Sequence, residues 1–151
     1  MKTLKGFFTP NDEKRILTAI CEAESRTSGE IRVRIERKAG KDTMALTRKA
    51  FESLGMRNTA LHNGTLFVLF LEDKKFAILG DDGINKKVPD GFWNKVKDTV
   101  QEHFRKGLFT EGLVEGIKEI GVQLATFFPH QRQDKNELPD AISYATEGKP
   151  E

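Results

Sequence analysis

Cysteine is nearly absent. Cys21 is the single one among 151 residues, so no disulfide can close inside the chain, which suits a reducing compartment. Long apolar runs are missing too. The longest, Leu66 to Leu71, is far too short to span a bilayer, and "MKTLKGFFTPND" lacks the apolar core of a secretory signal. Neither sign of charge dominates: 25 basic side chains against 23 acidic ones leave +2. They are mixed along the chain, as at Lys86-Lys87 beside Asp81-Asp82, whereas a nucleic-acid binder wants a basic stripe. These absences argue for a soluble, cytoplasmic chain without a nucleic-acid partner and without direct membrane insertion.

Familiar catalytic signatures are lacking as well. There is no Gly-x-Ser-x-Gly elbow, no phosphate loop ending in Gly-Lys-Ser/Thr, and no EF-hand spacing. Cys21 and Arg26 stand one residue too close for the cysteine-phosphatase signature, and Cys21 falls on the apolar side of a predicted helix, as a structural cysteine would. His103 closes a helix and Trp93 neighbours an apolar stripe, so both read as structural.

What is present is a regular alternation of elements. Thr9-Pro10-Asn11-Asp12 starts a helix over about residues 10–25, with Ile16, Leu17 and Ile20 at helical spacing. Glu30 to Arg37 alternates strictly, Ile31, Val33 and Ile35 against Arg32, Arg34 and Glu36, which predicts a strand with one buried face. Asp42 or Thr43 caps a second helix that Gly55 stops. "TLFVLFLE" is apolar on both faces, a central strand, and Asp73-Lys74-Lys75 turns it into its hairpin partner "FAILG". A third helix is predicted from Pro89, with Phe92, Val96, Val100 and Phe104 on one stripe. A fourth runs from Thr110 until Pro129 stops it. Gly112 and Gly116 share a face there, which implies close approach of a helix or the sheet. Residues 1–129 thus form one domain, and the polar stretch 130–151 reads as a mobile tail. The fold class is α/β, a three-layer α/β/α sandwich with a small mixed sheet flanked by helices.

This order of elements has a consequence for "ILGDDGINKKVPDG", residues 78–91. With the first two strands parallel and the third reversed, the end of the third strand lies at the same sheet edge as the starts of the other two. Asp81 and Asp82 then approach Glu30, with His62 and Asn63 just before the second strand. Converging carboxylates repel unless a positive charge lies among them. A hard cation such as calcium suits an oxygen-rich site, with Gly80 and Gly83 letting the backbone bend so that carbonyls reach it. Zinc fits less well, with one histidine at this edge. Spacing alone leaves the alternative open: two acids in a surface turn, neutralised by Lys86 and Lys87.

"SGEIRVRI", "NGTLFVLFLEDKKFAILGDDGI", "VPDGFWNKV" and "HFRKGLFTEGLVEGI", in that order across about residues 5–128, resemble the TPM domain family, and within it the short soluble bacterial branch. That family is named for a plant thylakoid lumen protein, a cyanobacterial relative in photosystem II repair, and an auxiliary protein of an acetylcholine receptor. The resemblance implies a sheet flanked by helices, an acidic surface site that binds calcium in some members, and an acid phosphatase activity attributed to the plant branch. Residue by residue it carries the metal site onto Asp81 and Asp82 in "GDDGI", onto Glu30 in "SGEI", and onto Glu115 early in the last helix. It also implies a membrane protein partner of the LemA type.

The expected function is a calcium-binding, non-catalytic accessory domain of a membrane-associated or envelope assembly. The alternative is a metal-dependent acid phosphatase acting on phosphomonoesters, with His62 as proton donor.

Overall fold

The computed structural model describes residues 6–130 and 142–145. The first helix, α1 (Pro10–Glu24), opens on a reciprocal cap: the Asp12 N–H donates to Thr9 Oγ1 at 3.0 Å and the Thr9 N–H to Asp12 Oδ2 at 3.4 Å. Such a cap satisfies two of the donors a helix start leaves open. α1 buries Ile16, Ala19, Ile20 and Ala23. Cys21 lies off that stripe and is exposed, contrary to the sequence expectation, because the stripe runs through Ala19 and Ala23 rather than past Cys21.

Strand β1 (Glu30–Glu36) pairs parallel with β2 (Gly64–Phe70), and β2 pairs antiparallel with β3 (Lys75–Gly80). Helix α2 (Thr43–Ser53) forms the crossover between β1 and β2, capped by Asp42, whose carboxylate accepts the Ala45 N–H at 3.0 Å. Every residue of β2 is buried, as its two-faced apolarity requires.

After β3 come a short helix α3 (Asp82–Lys87), then α4 (Asn94–Arg105) and α5 (Phe109–Phe127). The sheet layers follow from alternation. Ile31, Val33, Ile35, Phe67, Leu69 and Ile78 face α1, α4 and α5. Leu66, Val68, Phe70 and Ala77 face α2 with Ala50, Phe51 and Met56. The result is the three-layer α/β/α sandwich that the sequence predicts.

Three local expectations are corrected. The stretch after "ILG" is not a loop but α3. The helix predicted from Pro89 begins at Asn94, since Gly91 takes a left-handed φ of +78° that breaks any continuous start. And β1 is not exposed on its polar face: Glu30 and Arg34 are each 3 % exposed.

For Arg34 the reason lies at the other end of the chain. Within the stretch expected to be a mobile tail, Ser143–Tyr144 forms β4, parallel to β1, which gives the order β3-β2-β1-β4. β1 is therefore an interior strand. The Ala145 N–H donates to Ile35 O at 2.8 Å, Arg34 Nη1 to Ser143 Oγ at 3.1 Å, and Tyr144 Oη to Glu13 Oε2 at 2.9 Å. The rest of that expectation, residues 131–141 and 146–151, falls outside the described residues.

Tyr144 is expected to make the docking of β4 pH-dependent. Burial, then its hydrogen bond to Glu13 and the charge of that carboxylate, push the phenol well above its ordinary value of 10.0. A raised folded-state value means stability fully present below the ordinary phenol value and lost as pH climbs through it towards the folded value. Tyr144 is the chain's single tyrosine, so phenolate absorbance follows it alone. Its titration is expected displaced upward from that of the urea-unfolded chain, with the Ser143–Ala145 amide signals moving at the same midpoint. Tyr144→Phe should abolish the pH response of those amides.

The glycine face of α5 is explained by packing. A methyl at Gly112 would stand 2.6 Å from the Phe104 ring, and one at Gly116 2.6 Å from Val100 and 3.0 Å from Phe67. α4 and the sheet occupy that space.

Candidate functional site

The register places Glu30 opposite Gly64, and the Asp81 N–H donates to Gly64 O at 2.9 Å. Glu30, Gly64 and Asp81 thus form one transverse row over three adjacent chain segments. Alternation puts them on the α2 side of the sheet, opposite to Ile31, Thr65 and Gly80. Two carboxylates flank a residue with no side chain, about 10 Å apart at their Cα atoms by ordinary strand spacing.

Asp81 is the centre of this edge. Its carboxylate is fully buried and caps α3, accepting the Asp82 N–H on Oδ1 at 2.7 Å. The same Oδ1 accepts from Arg57 Nη1 at 2.8 Å, and Arg57 also reaches Asp82 Oδ2 at 3.4 Å. Oδ2 receives no hydrogen bond, although it is buried. His62 Nδ1 stands 3.4 Å from it, an ion-pair distance when the imidazole is charged. His62 itself is held at a left-handed φ of +49°.

Asn63 is buried just before β2. Its backbone N–H donates to Thr59 Oγ1 at 3.2 Å, its Nδ2 to Ser28 Oγ at 3.3 Å, and its carbonyl accepts the Glu30 N–H at 3.3 Å. Asn63 Oδ1 and the neighbouring Thr65 Oγ1 have no partner. Buried oxygens without donors are unusual in a folded protein. Here three of them (Asp81 Oδ2, Asn63 Oδ1 and Thr65 Oγ1) belong to the segments that meet at one edge of the sheet.

Of the six residues singled out from sequence, the fold assembles five at this edge. Asp82 is mostly exposed, at 70 % of its side chain. Glu115 is not among them. It sits on α5, in the layer covering the opposite face, and its carboxylate is 3.5 Å from Lys118 Nζ. Lys86 and Lys87 do not neutralise the aspartates either: they lie in the last turn of α3, and the Lys87 ammonium stands 4.7 Å over the Phe128 ring.

Arg57 does what those lysines were candidates for, and no sequence pattern marked it. It follows the Gly55 stop, 24 positions from Asp81. Its guanidinium is held above its already high value, first by the hydrogen bond to Glu52, against desolvation, and then by the charges of Glu52, Asp81 and Asp82. Half its side chain is exposed, and it also stands 5.4 Å over the Phe51 ring.

The glycines beside the acids also act differently from expectation. Neither Gly80 nor Gly83 takes a positive φ. Gly83 is required because α3 lies against the preceding loop: its N–H donates to His62 O at 2.9 Å, and a methyl there would stand 2.1 Å from Leu61 O.

Among the described residues, no three or more His, Cys, Asp and Glu side chains gather as a metal group. The polar groups at this edge are carboxylate, amide and backbone oxygens together with the His62 imidazole. A cation there would replace the arginine as counter-charge and supply a partner for Asp81 Oδ2.

A protein-family model described as the TPM domain matches residues 2–123. Among solved structures, the chain is similar to the BA42 protein of the psychrophilic bacterium Bizionia argentinensis. It is 43 % identical to it, with a TM-score of 0.89, over 96 % of this chain and all of that one. The N-terminal domain of a protein from P. gingivalis is 24 % identical, TM-score 0.68, over 85 % of this chain and 84 % of that one. The N-terminal domain of the cg2496 protein of Corynebacterium glutamicum is 14 % identical, TM-score 0.62, over 97 % and 85 %. These two show the fold alone. No curated protein matches.

Proposed function

The chain belongs to the TPM domain family, and from that premise we propose that it is a calcium-binding, non-catalytic accessory domain whose cation site lies on the Asp81 edge. The observation that carries this reading is the buried Asp81 carboxylate, one oxygen of which receives no hydrogen bond while the other is held by the half-exposed Arg57. Asp81 and Asp82 are the principal donors, with Glu30 at the far side of Gly64. The cation brings two positive charges to a site that Arg57 serves with one. No catalytic step is assigned to it. In this reading the domain works in the cytoplasm, which the lone cysteine suits, beside a membrane protein of the LemA type. Among the described residues no helix is long and apolar enough to cross a membrane; in this reading contact with a membrane assembly passes through that partner.

Calcium titration by calorimetry and amide-shift NMR tests the site on three proteins: wild type, Asp81→Asn/Asp82→Asn, and Arg57→Gln. Asparagine keeps the cap of α3, so the double variant should stay folded while losing about tenfold or more in affinity through the missing charges. Arg57→Gln should bind calcium severalfold more tightly than wild type, because its competitor is gone. Absence of binding in wild type and in Arg57→Gln would sink the reading. The rival, a metal-dependent phosphomonoesterase with His62 as proton donor, predicts calcium-stimulated hydrolysis of a generic phosphomonoester that disappears in the double variant. Binding without turnover is the expected result.

A further inference from the structure

At the opposite end of β3 from the Asp81 edge, a cavity of about 580 Å³ opens between the β2–β3 turn and the end of α4. Phe76 and Phe104 form its wall, edge to face with ring centroids 5.5 Å apart. Lys74, Lys75 and Arg105 stand around its mouth with Gln101 and Thr43.

The charge balance here differs from the rest of the molecule. Bases and acids are nearly equal in number along the chain, yet no acidic side chain lines this cavity among the described residues. Among the described residues none of the three cations is engaged in an ion pair, so their charge is open to a ligand. Nearby acids are committed elsewhere. Asp42 caps α2, Asp73 accepts the Ala39 N–H at 2.6 Å, and Glu102 is 3.8 Å from Lys106. The last carbonyls of α4 are also taken: His103 O accepts from Lys106 and Leu108, and Phe104 O from Gly107. Positive charge therefore predominates among the groups that line this mouth.

The backbone brings the three residues together. Lys74 holds the turn in a left-handed conformation, φ +53°, and Lys75 follows as the first residue of β3. Arg105 ends α4 next to the buried Phe104. Charge at the rim, an aromatic wall within and a volume of a few hundred Å³ describe a small-ligand pocket.

From this convergence we propose that the pocket binds a small organic anion, its phosphoryl or carboxylate head held by Lys74, Lys75 and Arg105 and its flat apolar body against Phe76 and Phe104. Arginine and lysine give charge-assisted hydrogen bonds to such a head. The ring edges and faces favour an aromatic body over a bare ion. This site is independent of calcium and of the Asp81 edge, some six residues of strand away, about 20 Å.

Amide-shift NMR titration with phenylphosphonate tests the proposal, since a carbon–phosphorus bond cannot be consumed by any esterase activity. Inorganic phosphate and benzyl alcohol serve as the head alone and the body alone. Phenylphosphonate is expected to move the amides of residues 74–76 and 101–107, binding about tenfold or more tightly than either fragment. Lys75→Glu/Arg105→Glu alters exposed side chains only, and should weaken binding by at least about tenfold through reversed charge at the head. Asp81→Asn should leave it unchanged. The assignment is overturned if no shifts appear at these residues, if inorganic phosphate binds as well as phenylphosphonate, or if charge reversal changes nothing.

Discussion

Alanine at Gly83 should destabilise the protein by about 3 kcal/mol, the sum of overpacking against rigid neighbours and a lost hydrogen bond. The added methyl would meet Leu61 O at 2.1 Å and His62 O at 2.5 Å. Both are backbone atoms, so no rotamer change relieves the contact. Either α3 lifts from the loop, breaking the Gly83 N–H to His62 O bond, or the loop itself moves, and His62 is already in a left-handed conformation there. Gly116 makes a useful contrast. Its methyl would meet the Val100 and Phe67 side chains, which have some room to adjust. Urea denaturation followed by Trp93 fluorescence measures the effect, and calcium titration of the same variant should show weakened binding, since Asp81 and Asp82 ride on the displaced segment. An unchanged unfolding midpoint would mean that the α3–loop contact is not a constraint on the fold.

Phe67→Ala should cost about 4 kcal/mol, within the range for deleting a buried aromatic ring. Phe67 is fully buried on β2, packs 5.9 Å from the Phe76 ring, and fills the space that Gly116 leaves between α5 and the sheet. The residues around it are held by α4 and α5 on one side and the strands on the other, so little collapse can fill the void. A domain of ordinary stability has roughly 5–15 kcal/mol in all, which places this variant near the edge of folding at room temperature. Phe67→Leu should lose about a third as much, keeping most of the apolar volume. Val122→Ala, on the outer face of α5 where the residue is 49 % exposed, should be nearly neutral. Similar losses for Phe67→Ala and Val122→Ala in denaturant titrations would contradict the packing described here.

The two variants divide along the line between what periodicity reveals and what it cannot. Phe67 is legible as core from its place in "TLFVLF", a run too apolar on both faces to border water. The crowding at Gly83 is not legible. "GDDGI" reads as a flexible turn, and the glycine is needed there because the carbonyls of Leu61 and His62, some twenty positions earlier, occupy the space a methyl would take. The same holds for Arg57. Its loop carries no period or motif, and it becomes the counter-charge of the aspartates only because α2 ends beside the start of α3. β4 was hidden for another reason. Ser143 and Tyr144 make too short a strand to show any alternation, and their pairing depends on an open edge of β1 supplied from far away in the chain.

The amino-acid order by itself determined the four longer helices apart from the start of α4, the three principal strands, their relative directions and hence the meeting of Glu30, His62, Asn63, Asp81 and Asp82 at one sheet edge. Those follow from local apolar spacing and the handedness of a crossover, which need no knowledge of distant neighbours. Tertiary structure alone decided which oxygens there are left without donors, that an arginine and not a lysine balances them, that Glu115 belongs to another layer, and that Lys74, Lys75 and Arg105 collect beside Phe76 and Phe104. Each of these depends on which remote side chain ends within a few ångströms of another, and no local pattern encodes that.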